Sequence, residues 1–195
     1  MICFFVKHQI RLLGVDDSAF SFIDKYATVI GAVMRGGDYI ECVMKRQVSV
    51  DGDDADYICI DMIENTRYKK QLKAMLLDGV ALGGFNVVDI EKIYSKTGLP
   101  VITVTRDRPD FKKIELALKK NFNDWKKRLK IMKKGKLHRV ETSHNPIFVK
   151  CAGLTIDEAK EIINISTIRG VVPEPIRVAH LIASGVVRGE SYGKA

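Results

Sequence analysis

The sequence predicts an α/β fold built on a mixed sheet, three antiparallel strands followed by parallel strands, flanked by helices. Three observations predict it. Apolar runs at 11–15 and 73–77 each stop at an aspartate, as strands in the middle of a sheet do. Gly36-Gly37-Asp38 separates two β-rich runs closely enough for a hairpin. From residue 55 onward, helical spacing alternates with short β-branched runs, the order that yields parallel pairing.

Taken in order, 11–18 is the first strand, Ala27 to Arg35 the second, and Tyr39 to Val50, which alternates, the third. Asp51-Gly52-Asp53-Asp54 closes that strand and opens a helix, where Ala55, Ile58, Cys59, Met62 and Ile63 recur at helical spacing. Lys73 to Asp78 is a buried strand stopped by Gly79. A second helix is expected from Phe85 to Lys96, ended by Gly98 with Pro100 beyond. Val101 to Thr105 is a β-branched strand of the kind buried on both faces.

Phe111, Ile114, Leu118, Phe122, Trp125, Leu129 and Met132 form one apolar helical stripe. A break at Asn121–Asp124, with Asp124 as N-cap, would divide it into two helices. Ile147 to Cys151 is a late strand. Thr155-Ile156-Asp157-Glu158 is a capping box opening a helix through about Ile165. Pro173-Glu174-Pro175 leads into a last amphipathic helix over 176–187. This order is that of a ribonuclease H-like domain. With no repeat, linker or low-complexity stretch, one domain over 1–195 is expected, carrying a basic helical segment at 110–136.

Hydrophobic content of 46% and charged content of 29% are ordinary for a packed core and argue against disorder. No apolar stretch is long enough to span a bilayer, so no membrane partner is expected. Met1 to Lys7 has its charge after a short apolar run; it reads as an edge strand or lead-in rather than a signal peptide. Cys3, Cys42, Cys59 and Cys151 show no CxxC pair or disulfide framework. Cys42 and Cys59 lie in apolar runs and read as buried reduced thiols, which points to the cytoplasm. His8, His138, His144 and His180 form no HExxH pattern.

Asp16 and Asp78 each end an apolar strand, with Asp17 and Gly79 following. If those strands are neighbours, the two carboxylates meet, and paired carboxylates repel unless a proton or cation lies between them. Hard oxygen ligands with open positions suit Mg2+ or Mn2+ and phosphoryl chemistry. Asp51, Asp53 and Asp54 form a third acidic group where the third strand meets the first helix. Helix capping and turn closure explain Asp53 and Asp54 at least as well as a metal does. His180, among Val178, Ala179, Leu181 and Ile182, reads by spacing alone as a hydrogen-bonded core residue.

Three stretches carry a resemblance: Leu13-Gly14-Val15-Asp16-Asp17-Ser18, Leu76-Leu77-Asp78-Gly79 through Gly83-Gly84-Phe85-Asn86, and Val172-Pro173-Glu174-Pro175-Ile176-Arg177 through His180. With Arg35-Gly36-Gly37 and Val50-Asp51-Gly52, they are similar to the archaeal endonuclease dU family over nearly the whole chain. That family resembles endonuclease V, a ribonuclease H-like enzyme that nicks nucleic acid near deaminated bases. The resemblance implies metal binding by Asp16 and Asp78, with His180 as the last-helix residue of the metal site. It also implies an acid among Asp51 to Asp54, Asp51 and Asp54 foremost, and Arg106 where a lysine would face the phosphate. Two features depart from endonuclease V. The Pro-Tyr-Ile-Pro wedge has no counterpart, and Gly83-Gly84-Phe85-Asn86 replaces the His, Pro and Arg that follow the second aspartate. Gly83-Gly84 could admit a close backbone approach or simply pack, and Asn86 could read a base edge or cap a helix.

Net charge is +8, and 112–139 holds twelve Lys and Arg against Glu115 and Asp124, leaving the rest of the chain slightly acidic. Lysine pairs recur seven apart, at 112/113, 119/120, 126/127 and 133/134, away from the apolar stripe. Such a face can keep a helix soluble. At this density it is expected to hold phosphates, through Lys112, Lys119, Lys126, Lys127 and Lys133, without reading sequence. With the acid pair, the resemblance implies a metal-dependent endonuclease on deaminated, deoxyuridine-containing DNA, with DNA preferred to RNA as partner. The alternatives are a non-catalytic nucleic-acid-binding module and a basic face docking an acidic protein.

Overall fold

Alternation along the first strand decides which layer each helix joins. The computed structural model describes residues 9–21 and 23–191, so the expectations for Met1 to Lys7, Cys3 and His8 lie outside the described residues. Strand β1 (Arg11–Asp17) pairs antiparallel with β2 (Tyr26–Arg35), which pairs antiparallel with β3 (Tyr39–Ser49). On its other side β1 pairs parallel with β4 (Leu72–Asp78). The sheet continues through β7 (Val101–Thr105), parallel to β4, to β9 (Ile147–Ala152) and β8 (His138–Val140), both antiparallel to their neighbours. The seven-stranded order is β3-β2-β1-β4-β7-β9-β8.

Leu13 and Val15 of β1 face one side, packed with Cys59, Met62 and Ile93 from helices α1 (Ala55–Glu64) and α2 (Ile90–Thr97). Leu12 faces the other, with Ile162, Ile163 and Ile176 from α5 (Ile156–Ser166) and α6 (Glu174–Arg188). The expected capping box of α5 forms: Thr155 Oγ1 accepts from the Glu158 amide while Glu158 accepts from the Thr155 amide. The basic stripe breaks at 122–124 into α3 (Phe111–Asn121) and α4 (Trp125–Lys133). Leu118, Leu129 and Met132 are buried between them and Val87. Asp124 stands at the N-cap of α4, but its carboxylate accepts from Arg128 Nε (2.9 Å) instead of capping.

The second helix begins five residues later than expected. Gly83 and Gly84 adopt left-handed φ of 58° and 86°, and β5 (Ala81–Leu82) and β6 (Asn86–Val87) form a small hairpin instead. Asp89 then caps α2 by accepting from the Glu91 and Lys92 amides. Strand β8 was not legible as a strand in so short and polar a segment. Cys59 is fully buried, but Cys42 is only half-buried, because β3 is an edge strand with one face open.

One close approach sets the place of the last helix. A Cβ at Gly14 would lie 2.1 Å from the carbonyl carbon and oxygen of Pro175, so the first turn of α6 rests directly on β1. Ala179 and Ala183 continue that contact against Ile30 and Ala32. Gly14→Ala is therefore expected to cost about 3 kcal/mol, the upper end of overpacking. Gly185→Ala on α6, where nothing lies within 4 Å, should instead stabilise by about 0.5 kcal/mol. Urea denaturation of both variants checks this; equal effects would show that the α6 contact does not constrain the fold.

Candidate functional site

Register brings the strand-end acids together. Val15 pairs with Leu77 across the parallel β1–β4 ladder, so Asp16 and Asp78 follow at the carboxyl ends of adjacent strands. Asp16 is buried, 5% exposed. Its Oδ1 accepts from the Asp17 amide (2.9 Å), and its Oδ2 lies 2.8 Å from Nδ1 of His180. The helix resting on Gly14 thus delivers His180 to Asp16. Glu174, buried in the first turn of α6, accepts from Arg177 Nε (2.8 Å) and the Arg169 amide (3.2 Å), fixing the helix start.

The electrostatics are those of crowded, poorly hydrated carboxylates. Burial first, and then the charge of Asp16, pushes Asp78 up to about 6, while Arg106 and His180 pull it back. Asp17 is also pushed up to about 6 by burial, then Asp16, with Asp78 adding; the Gly83 amide, donating to its Oδ2 at 2.8 Å, opposes the rise. Asp16, Asp78, Arg106 and His180 therefore share one field. A divalent cation would relieve it. Among the described residues no group of three or more His, Cys, Asp or Glu side chains is placed to hold a metal ion by itself. Two carboxylates with open positions nevertheless fit Mg2+, which keeps several waters and takes its remaining ligands from phosphate.

Asp51 and Asp54 make no hydrogen bond or ion pair with this pair; both hold the 83–86 loop. Asp51, in a left-handed conformation (φ 55°), accepts from the Phe85 amide (2.7 Å). Its carboxylate sits where a Cβ at Gly84 would fall, 2.3 Å away. Asp54 accepts from Ser49 Oγ (2.8 Å) and Asn86 Nδ2 (2.6 Å). Asn86 is wholly buried, and its Oδ1 accepts from the Ala55 amide (3.0 Å) at the start of α1. It is a cap, as one of the two expectations had it, but for a helix about thirty residues earlier in the chain. Asp53 lines a separate surface cleft with Asp56, Asp89 and Arg128.

All ten lysines between 112 and 136 are exposed, Lys112, Lys119, Lys126, Lys127 and Lys133 among them. Glu115 pairs with Lys119 (2.7 Å) and Lys133 (3.8 Å) but leaves most of the charge outward. The apolar underside of this pair of helices roofs a cavity of about 320 Å³, lined also by Asp78 and Gly79. Sequence reasoning missed Lys150, buried at 4% exposure on its floor. Nζ donates to the carbonyls of Met132 (2.6 Å) and Lys134 (2.8 Å), and burial lowers its pKa. A lysine within Phe148-Val149-Lys150-Cys151 was the available signal.

A seven-stranded mixed sheet, antiparallel and then parallel, with helices on both faces is a ribonuclease H-like fold. The chain belongs to the endonuclease dU family, whose model matches residues 8–187. A relative from Methanosarcina mazei is 48% identical over 195 residues, covering 98% of each chain. A solved structure of a protein of unknown function from Archaeoglobus fulgidus is 37% identical, with a TM-score of 0.83 over 93% of this chain and all of that one. Endonuclease V of Ciona intestinalis, solved with inosine-containing DNA, shares the fold at 14% identity and a TM-score of 0.61, covering 93% of this chain and 87% of its own.

The raised carboxyls have a defined linkage sign. A carboxylate whose folded pKa lies above its unfolded value stabilises below the unfolded pKa, and that stability is lost as pH rises through the folded pKa. In EDTA, Asp17 and Asp78 should therefore make the protein less stable as pH rises from about 4 to about 6. Asp78→Asn is expected to stabilise the metal-free protein at pH 7 by about 2 kcal/mol. Unfolding at pH 5 and pH 7 measures both; a destabilised variant at pH 7 would show that Asp78 is not held against repulsion.

Proposed function

We propose that the protein is a metal-dependent endonuclease that hydrolyses phosphodiester bonds in deaminated, deoxyuridine-containing DNA. The observation that carries the reading is the convergence of Asp78 and His180 on the buried carboxylate of Asp16, with Asp78 pushed up by burial and then by the charge of Asp16. Asp16 and Asp78 would hold Mg2+ or Mn2+, which would supply Lewis acidity toward the phosphate and its attacking water. The amide of Asp17 and the imidazole of His180 fix both oxygens of Asp16, so its orientation is set before substrate arrives. Arg106, at the end of β7 and in the field of Asp78, would balance negative charge developing on the phosphate. Asp51 and Asp54 support the loop that holds Asp17 and are assigned that part. The family's name and the inosine-containing complex of the endonuclease V neighbour support a deaminated DNA substrate.

Nicking of labelled duplexes containing uracil, hypoxanthine or no lesion tests this, with Mg2+, Mn2+ or EDTA. Asp78→Ala should lower cleavage at least a thousandfold while leaving DNA binding within a few-fold; retained cleavage would sink the assignment. Binding without cleavage under any metal would favour a non-catalytic nucleic-acid-binding module.

The exposed lysines of α3 and α4 would grip the backbone. Replacing Lys112, Lys119, Lys126, Lys127 and Lys133 together by Ala should weaken binding to all sequences alike. The slope of log K against log salt should fall by about one for each phosphate no longer neutralised. An unchanged slope would remove this face from the interface.

A further inference from the structure

We propose that Lys150 reads the base: it donates a hydrogen bond to the ring carbonyl that deamination installs on a nucleobase extruded into the cavity beneath α3 and α4. The inference rests on the nuclease reading only for the identity of the strand being read. Its evidence is the cavity. The space of about 320 Å³ is at the small end of the range of ligand pockets, roughly 300–1,000 Å³. It is lined by Asp78 and Gly79, so an occupant lies against the acid pair. Val80, Phe111, Ile114 and Met132 give it apolar walls suited to a flat ring. The aromatic face of Phe111 stands 6.0 Å from Lys150 Nζ.

Its floor is sheet. Thr103 and Lys150 are register partners across β7 and β9, at 2% and 4% exposure. Thr105, beside them, donates its hydroxyl to Phe148 O (3.3 Å). Asp107 and Arg108 supply the remaining charged lining besides Asp78. Two of the ammonium protons of Lys150 are taken by the Met132 and Lys134 carbonyls, which anchor it to the end of α4. A lysine ammonium has three donors and no acceptor, so with two carbonyls satisfied one donor remains on a side chain that lines the cavity.

Deamination exchanges an exocyclic amine for a carbonyl: cytosine becomes uracil, adenine becomes hypoxanthine. A fixed donor meets an acceptor in the product and another donor in the parent base. A buried donor facing a donor leaves both unsatisfied, which is how hydrogen-bonding sites achieve large discrimination. Extrusion is the route by which a ring inside a duplex reaches such a cavity.

The test reads binding, which does not require the protein to cut. Binding of wild type, in EDTA, is measured for oligonucleotides carrying a single uracil, cytosine or 2-pyrimidinone, the last lacking the carbonyl in question. Wild type should prefer uracil at least tenfold over both, and Lys150→Met, with similar length and no donor, should lose that preference while keeping its affinity for undamaged DNA. Equal binding of uracil and 2-pyrimidinone by wild type would overturn the proposal without any mutant, as would an unchanged preference in a folded Lys150→Met. Either result leaves the nuclease reading to stand or fall on metal-dependent nicking. Conversely, a uracil preference that depends on Lys150 in a protein that never nicks would uphold base reading and end the nuclease reading.

Discussion

The contact between Gly14 and the backbone of Pro175 is the constraint on which the site depends. Helices usually stand off a sheet by the length of their side chains. Here the first turn of α6 rests on the strand itself, because any Cβ at Gly14 would occupy the carbonyl of Pro175. That approach carries His180, less than two turns further on, to Asp16. The Glu174–Arg177 pair and the small Ala179 and Ala183 keep the helix in that position. The Pro173–Arg177 segment thus has a structural purpose distinct from chemistry: it sets the angle and depth at which the helix meets the sheet.

The second organising feature is the parallel pairing of β1 with β4. It places two carboxylates at one edge of the buried layer, where water is scarce and repulsion is felt. Such an arrangement costs stability in the absence of a counter-charge, and proteins keep strain of this kind where it serves binding or catalysis. The acids at 51 and 54 solve a different problem. The 83–86 loop has two left-handed glycines and amides that need acceptors; Asp17, Asp51 and Asp54 provide them or their supports. The 83–86 loop and the acid pair are therefore joined through Asp17, adjacent in sequence to Asp16.

The basic helical pair joins the two halves of the molecule's chemistry. Its lysines face outward, and its apolar stripe closes the cavity beside Asp78. One pair of amphipathic helices thus supplies both an outward basic face and a roof. Lys150 ties that roof to the sheet through the last carbonyls of α4, which a helix end cannot satisfy internally.

Patterning along the chain determined most of the architecture. Apolar and β-branched runs marked β1, β2, β4, β7 and β9, alternation marked β3, helical spacing marked α1 and α3 to α6, and the capping box at Thr155 marked where α5 starts, because these are properties of neighbours within a few residues. The acid pair was legible for the same reason: each aspartate ends an apolar run, and only the pairing of two strands had to be supplied. The start of α2 was not legible, since Phe85, Val87 and Val88 match a helical pattern while Gly83 and Gly84 turn the chain into a hairpin. Nor could the sequence say that Asn86 would cap a helix beginning at Ala55, or that Asp51 would serve a loop at 83–85. By spacing alone His180 read as a core residue, and only the resemblance set it beside the acids; its contact with Asp16 came with the laying of α6 on Gly14, and Lys150 looked like one lysine among many until β7 and α4 enclosed it. A side chain's periodicity is written locally, but its hydrogen-bond partner and its exposure to water are set by segments distant in sequence, and only the tertiary structure decides those.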